Sequence, residues 1–311
     1  PGSLFFVITI FYITDQCNHL LILLSLRQKT IMKKRILTLL TIIGLSSSLL
    51  ASTPSDSIPK YVYLAFGGGL NRTSVNETLN TSLSYTGFSP GFSVEYSMAT
   101  SKMYVELRNV FSIGSLSPYK AGSNFNNTMQ NIYENINLNA QWLLYKKPES
   151  KFYTYAGPMV SGKVQVRGKN SNISNSAYTY DISASFGLAA KVDKYVKIDH
   201  IFSWPINEQN FKLGASISYP LVSNVWSQPY SGITKNIAQE GGMLLDLSNS
   251  YFGYFLNYTN IEVNLAVAYL LKNKNAIELS YMHDYNSTQP KHNPSKTLNQ
   301  MLSLKLYFNF K

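Results

Sequence analysis

Cysteine and charge are scarce in this chain, and both shortages narrow the classes of protein that it can form. The single cysteine, Cys17, lies ahead of the expected mature N-terminus, so the folded domain has no disulfide framework, thiolate metal site or lipoprotein anchor. Charged residues make up 14% of the 311 residues, while aromatic residues make up 14% and hydrophobic residues 45%. Disordered chains are poor in aromatic residues, so this composition predicts a folded domain.

Long apolar runs are also missing from residues 52–311. A membrane-spanning helix needs about 20 consecutive apolar residues, and this part of the chain contains no such run. Its apolar residues fall in short segments, as they do in β-strands. The length suits one domain, because β-barrels of more than about 200 residues are common.

The N-terminal part has the layout of an export signal. Residues 32–35 (Met-Lys-Lys-Arg) precede an apolar run over 36–45 and then small residues that end at Ala51. A basic start, a short apolar core and a small-residue end are typical of a secretory signal peptide. We expect residues 32–51 to be this signal, with cleavage after Ala51 or a few residues away. An ordinary N-terminal core helix is the alternative.

Residues 1–31 differ from the rest, because they begin with Pro1 and contain two short apolar runs around Asp15 and His19. We interpret them as sequence translated from upstream of the true start and not as part of the fold. An additional membrane segment is the alternative.

Segments of strict alternation recur through residues 52–311. In the last one, Leu or Phe occupies every second position from Leu302 to Phe310, and polar residues or Tyr307 fill the others. Side chains alternate between the two faces of a strand, so this pattern predicts a half-apolar strand. Similar alternation occurs in residues 92–97, 103–108, 135–144, 178–188, 196–199, 211–219, 262–271 and 276–284. The run of glycines at 67–69 is expected to be a turn or a close-packed strand end, because no Lys-Ser/Thr pair and helix follow it.

Connections between these segments alternate in length. Short turns are predicted at 98–102, 146–151, 193–194 and 272–274, and longer polar loops near 71–86, 115–129, 168–176 and 286–298. This alternation is typical of outer-membrane barrels, with short periplasmic turns and long outer loops. We therefore predict an all-β, antiparallel, up-and-down transmembrane β-barrel of about 12 strands, with 10 or 14 as alternatives. Residues 220–247 show no clean period, and by parity they would lie at the short-turn end of a 12-stranded barrel; a further hairpin or a short helix within them is the alternative.

The polar faces of the predicted strands carry charges of both signs, which a barrel lumen can satisfy by pairing. The predicted lumen-lining residues are Glu95, Glu106, Arg108, Asp181, Lys197, Asp199, Lys212, Glu262, Glu278 and Lys305. The apolar faces carry ring residues near strand ends, where aromatic girdles meet the membrane interface. These features predict a location in the bacterial outer membrane.

The closing segment resembles the C-terminal strand by which the assembly machinery recognises bacterial outer-membrane proteins. Phe308 and Phe310 match the aromatic ending of that strand, although Lys311 follows them. The resemblance implies that these two residues act as an assembly signal and that the barrel-assembly machinery is a partner.

The formal net charge of the chain is +11, from 27 basic and 16 acidic residues. The basic residues are scattered without a patch or stripe, so nucleic acid is not a predicted partner. Outer-membrane lipid and lipopolysaccharide are the expected partners of the barrel wall. No pattern of residues predicts a cofactor or a metal site.

Two histidines are the candidate catalytic residues. His200 and His283 fall on apolar faces near the expected outer strand ends, which resembles the placement of a catalytic histidine in outer-membrane phospholipases and lipid A deacylases. Such enzymes need a serine nucleophile beside the imidazole, and the His-x-Ser spacing is absent here. A passive role is therefore expected. The barrel is predicted to be a narrow pore with a weak anion preference or none, or else a structural or surface barrel, and an outer-leaflet lipid hydrolase is the alternative.

We expect the exported protein to begin near Ser52, because the small residues that end at Ala51 form the cleavage region of the signal. Sequencing the N-terminus of the protein extracted from the outer membrane checks this. A membrane-inserted chain that starts at Pro1 or at Met32 would contradict it.

Overall fold

The computed structural model describes residues 60–77, 84–119, 128–169, 178–201, 204–227, 250–254, 257–289 and 294–310. The expected upstream segment 1–31 and signal 32–51 lie outside the described residues. All secondary structure described is β-strand, apart from a short 3-10 helix at Pro148–Ser150. The strands are β1 (Tyr61–Glu77), β2 (Ser84–Ala99), β3 (Met103–Pro118), β4 (Met129–Lys147), β5 (Phe152–Lys169), β6 (Tyr178–Ile201), β7 (Trp204–Ser227), β8 (Ser250–Tyr254), β9 (Tyr258–Leu270), β10 (Ala276–Thr288) and β11 (Ser295–Asn309).

Ten of these strands form a closed antiparallel barrel. Each strand from β1 to β7 pairs with its sequence neighbour, β7 pairs with β9, and β9, β10 and β11 pair in order. The first and last strands close the ring, with Tyr63 opposite Asn309 and Glu77 opposite Ser295. A closed ring pairs strand edges with one another, which a strand structure within a membrane requires.

The strand count is ten in the barrel plus β8, so the expected count of twelve is not confirmed. The predicted turn at residues 193–194 is absent, because β6 continues through it to Ile201. Residues 196–199 therefore belong to β6 and not to a separate strand. The β6–β7 hairpin extends beyond the end of β5, since the pairing of β5 with β6 ends at Phe152 and Lys194.

The prediction that residues 220–247 connect strands at the short-turn end is wrong. Strand β7 continues through Ser227, and β8 begins at Ser250, so this connection leaves from the long-loop end. Strand β8 pairs with the upper part of β7, over Val222–Trp226, while β9 pairs with the lower part, over Asn210–Ser218. The two short strands run in the same direction and share β7 as a neighbour.

The barrel has an apolar outside and a polar inside. On β11, Leu302, Leu304 and Leu306 point outward, and the exposed fraction of Leu304 is 55%. The alternate residues Ser303 and Lys305 point inward and are buried. The other strands repeat this arrangement. It is the inverse of the arrangement in a soluble barrel, and it suits a protein surrounded by lipid. Among the described residues, no α-helix has the length and hydropathy that crossing a membrane requires.

Glycines 67–69 lie in the middle of β1 and not at a strand end, which corrects the sequence-based expectation. Gly67 faces inward, and a Cβ placed on it would lie 2.7 Å from Cγ of Lys305 on the neighbouring strand. The missing side chain therefore leaves room for Lys305 to pass over β1 and reach Glu95 on β2.

We expect Leu304→Arg to destabilise the barrel by about 2–4 kcal/mol, because it places a charge at mid-height of the lipid-facing wall. The matched control Leu298→Arg lies on the same face of β11, six residues nearer the loop end, and should cost about 1 kcal/mol or less. Denaturant unfolding in lipid vesicles measures both. Equal losses for the two variants would contradict the assigned lipid-facing belt.

Candidate functional site in the barrel interior

The barrel interior is the candidate site, because its strands direct charged side chains inward at several levels. Eight of the ten predicted lumen residues are buried on the inward face: Glu95, Glu106, Arg108, Asp181, Lys212, Glu262, Glu278 and Lys305. Lys197 is exposed and lies at the short-turn mouth, because β6 extends beyond the barrel edge. The side chains of Asp199 and His200 lie outside the described residues.

The carboxylate of Glu262 on β9 is at the centre of the interior. It accepts a hydrogen bond from Arg108 of β3, and Nδ2 of Asn135 and Nδ2 of Asn137 donate to its Oε2 at 2.6 and 2.7 Å. Asn264 also donates to this carboxylate, with 2.8 Å between its Nδ2 and Oε1 of Glu262. Hydrogen bonds to an ionised acceptor are the strong kind, so this cluster ties together β3, β4 and β9 across the barrel.

Nearer the short-turn end, Lys305 joins two carboxylates. Its Nζ lies 3.0 Å from Oε2 of Glu95 and 3.4 Å from Oε1 of Glu278. Tyr307 donates to Glu278, with 3.1 Å between the hydroxyl and Oε1. All four side chains are buried, so each charge is satisfied by protein groups and not by bulk water.

Glu106 belongs to the same layer of buried charges near the short-turn end, which we call the lower level. Its carboxylate lies 3.6 Å from both the Arg108 guanidinium and Nζ of Lys191. The hydroxyl of Tyr104 donates to Oε2 of Glu106 at 2.6 Å, and Nζ of Lys191 donates to that hydroxyl at 2.9 Å. Arg108 therefore connects the lower level to the central cluster around Glu262.

Nearer the loop end, two further groups fill the interior. Nζ of Lys163 donates to both oxygens of Asp284, at 2.7 and 2.8 Å, and the hydroxyl of Tyr133 donates to the same carboxylate at 2.6 Å. Above them, a guanidinium nitrogen of Arg167 lies 2.5 Å from Oδ2 of Asp181.

Sequence reasoning did not place Lys163, Arg167 or Tyr133 in the lumen. The two basic residues lie on β5, where Pro158 and three glycines obscure the alternation of apolar side chains. The signal was nevertheless present, because Ser161, Lys163, Gln165 and Arg167 occupy every second position of that strand. Extending the two-residue period through the glycines would have found them.

His283 lies on the outward face of β10 and is half-buried. Its Nδ1 lies 3.4 Å from Nε2 of Gln300, and Gln300 also donates to the hydroxyl of Tyr281. Its cross-strand partners on β9 and β11 are Val263 and Gln300, so neither position supplies a serine nucleophile. The imidazole therefore has none of the surroundings that hydrolysis requires among these neighbours.

A cavity of about 950 Å³ occupies the short-turn end of the interior. We call it the vestibule. It is lined by tyrosines from several strands, including Tyr61, Tyr153, Tyr195 and Tyr307, and by lysines of the strand ends and turns. Above it, the space between the lower-level charges shrinks to a void of about 30 Å³, bounded by Glu106, Lys191 and Lys305 among others. That volume corresponds to about one water molecule.

The closed antiparallel ring, the apolar exterior, the charged interior and the alternation of short and long connections define the class of this molecule. It is a bacterial outer-membrane β-barrel protein, as the sequence predicts. Phe308 and Phe310 lie on the lipid-facing side at the end of β11, with exposed fractions of 44% and 68%, while their role in assembly stays a prediction.

Solved structures of bacterial outer-membrane proteins are similar to this barrel at low sequence identity. They include the outer-membrane protease OmpT from Escherichia coli, with 9% identity, a TM-score of 0.48 and coverage of 82% of this chain and 99% of that chain. The transport unit of the autotransporter AIDA-I from Escherichia coli has 10% identity, a TM-score of 0.38 and coverage of 86% and 97%. Neisserial surface protein A has 9% identity, a TM-score of 0.31 and coverage of 80% of this chain and 97% of that chain.

No protein-family model and no curated protein sequence matches the chain. At the identities and TM-scores of the similar structures, the likeness carries no information about function. Within the described residues, no group of three or more His, Cys, Asp and Glu side chains is arranged to hold a metal ion.

We expect Arg108→Met to destabilise the folded barrel by about 3–5 kcal/mol, because it leaves the buried Glu262 without its positive partner. Adding Glu262→Leu should recover part of that loss, since both buried charges are then gone. Denaturant unfolding in detergent micelles measures the two variants.

The matched control is Glu134→Ala, which removes the hydrogen bond that Nδ2 of Asn109 donates to Glu134 between β3 and β4, two of the strands that the central cluster joins. This pair is only partly buried, so the control should lose about 1 kcal/mol or less. A loss for Arg108→Met as small as the control's would contradict the role assigned to the central cluster.

Proposed function

We propose that this protein is a closed outer-membrane barrel with a structural or surface role, and that its lumen does not conduct solutes. The observation that carries the proposal is the stack of buried ion pairs between the vestibule and the loop end. Glu262, Asp284 and Asp181 each have basic partners from across the interior or from a neighbouring strand. An ion that passed through the barrel would have to separate such pairs.

The size of the barrel supports this proposal. Eight-stranded barrels have interiors that side chains just fill, whereas porins of 16–18 strands leave an aqueous channel. Ten strands enclose slightly more space than eight, and long side chains occupy it here. Arg167, Tyr133 and Gln141 are among the largest side chains that are almost completely buried.

The narrow pore that the sequence also suggests is the second candidate. The vestibule favours it, because a cavity of about 950 Å³ already opens one end of the interior. A pore would then need only a rearrangement of the charges above the vestibule. Salt bridges of fixed geometry oppose such a rearrangement, since every separated charge would be left buried without a partner.

The lipid-hydrolase candidate has less support. His283 is hydrogen-bonded to the Gln300 amide and faces lipid beside Val263 and Tyr281, and none of these neighbours is the serine that such hydrolases use as nucleophile. Ester cleavage by the purified protein that disappears in His283→Ala would overturn the proposal of a passive barrel.

We expect the purified wild-type protein to give no steady conductance in planar lipid bilayers. A variant in which serine replaces both members of the pairs Arg108–Glu262, Lys163–Asp284 and Arg167–Asp181 should conduct, because shorter side chains then replace every pair of the stack. The control Arg72→Ser/Glu134→Ser removes one positive and one negative charge from the outward face and should stay silent. A steady wild-type conductance, or equal conductance in the multiple variant and the control, would contradict the closed lumen.

A further inference from the structure

The vestibule is the feature of the molecule that the closed-barrel function does not use. It opens at the short-turn end, which faces the periplasm in outer-membrane barrels. The extended β6–β7 hairpin forms part of its wall through Tyr195, Lys197 and Phe211. Its volume of about 950 Å³ falls within the range of small-molecule binding sites, which is roughly 300–1,000 Å³.

The charge of the vestibule is strongly one-sided. Seven lysines line it, among them Lys60, Lys151 and Lys272, whereas Glu278 is the single carboxylate of the lining. Glu278 is already engaged by Lys305 and Tyr307. A cleft lined by one sign of charge concentrates ligands of the opposite sign, so the vestibule attracts anions.

Lys212 lies at the inner end of the vestibule and is buried. Its ammonium lies 5.7 Å from the centre of the Tyr61 ring, and within the described residues it has neither a hydrogen bond nor an ion pair. The buried lysines higher in the lumen, Lys163 and Lys305, each touch a carboxylate. The carboxylates of Asp193 and Glu278 act on Lys212 electrostatically without an ion pair. Lys212 is thus a buried cation with an aromatic ring as its nearest contact, and it lines open space that an anion could occupy.

Tyrosine hydroxyls supply the neutral part of the site. Among the described residues, the hydroxyls of Tyr61, Tyr153 and Tyr195 have no hydrogen-bond partner, whereas Tyr63 donates to the carbonyl of Lys274 at 2.8 Å. The rings of Tyr153 and Tyr195 pack edge to face with 5.9 Å between centroids. Such rings offer an apolar face together with a polar tip, a combination that suits a hydroxylated ring compound.

We propose that the vestibule binds an anionic saccharide, a sugar of one or two rings that carries a carboxylate or a phosphate. The anionic group lies against Lys212 and the rim lysines, and the sugar ring lies against Tyr61 and its neighbours. A free periplasmic solute and the sugar acids of cell-wall glycan share this chemistry.

Calorimetric titration of the full mature protein in detergent tests the proposal, with glucose 6-phosphate, glucuronate, glucose and inorganic phosphate as probes. Glucose 6-phosphate or glucuronate should bind saturably, and glucose should bind at least about tenfold more weakly because it lacks the charge. Higher salt should weaken the binding, since screening reduces the attraction of the lysines. Saturable binding of none of the four probes would overturn the proposal, and so would equal affinity for glucose 6-phosphate and inorganic phosphate.

The variants distinguish binding at a specific site from general electrostatic attraction by lysines. Lys212→Gln should weaken the binding of the anionic sugar about tenfold or more, while Lys296→Gln, an exposed lysine at the loop end, should leave it unchanged. Tyr61→Phe should weaken the binding of the sugar but not of inorganic phosphate. Equal affinities in Lys212→Gln and Lys296→Gln would overturn the proposal.

Folding of each variant is checked by its heat-dependent mobility in gels. If Lys212→Gln does not fold, Lys272→Gln at the exposed rim takes its place. We expect Lys272→Gln to lower the affinity for the anionic sugar about threefold, and an unchanged affinity would contradict the proposal. Co-sedimentation with purified cell-wall sacculi distinguishes the two sources of the ligand: retention by sacculi indicates the glycan, and binding of the soluble sugars alone indicates a free solute.

Discussion

Burial of charge inside a narrow ring of strands is the constraint on which the rest of this structure depends. A carboxylate removed from water must recover its lost hydrogen bonds from the protein, or the folded state becomes unfavourable. Glu262 meets this requirement with donors from three strands, two of them on the opposite wall. The position of one side chain therefore fixes the separation and the register of strands that are distant in sequence.

This constraint also explains why part of the structure could be predicted from the sequence. Alternation placed Glu95, Glu106 and Lys305 on inward faces, because the two-residue period of a strand is independent of the surroundings. The pairing of Lys305 with Glu95 could not be predicted in that way, since their contact depends on the strand register and on the space above Gly67. The count of strands was also out of reach, because nothing at residues 193–194 shows that β6 continues beyond the barrel edge.

The two ends of the interior are chemically different, and this difference organises the functional proposals. Between Lys305 and Arg167, acids and bases alternate and satisfy each other, so this region is structural. In the vestibule, Lys212 and the hydroxyls of Tyr61, Tyr153 and Tyr195 have no such partner among the described residues, so this region remains able to interact with solutes. A barrel can be closed to transport and still present a receptive surface on one side of the membrane.

The junction of β7, β8 and β9 has a mechanical consequence for the barrel. Strand β7 is held to β9 over nine residue pairs, from Asn210 to Ser218, whereas β1 and β11 are held together over fifteen. Within the described residues, the upper part of β7 pairs on that side with the five residues of β8 alone. Under heat or lateral tension, the barrel should open first by separation of β7 from β9. The junction between β7 and β9 is thus the weakest strand pairing of the barrel wall. The backbone amides of upper β7 should therefore exchange with solvent before those of its neighbours.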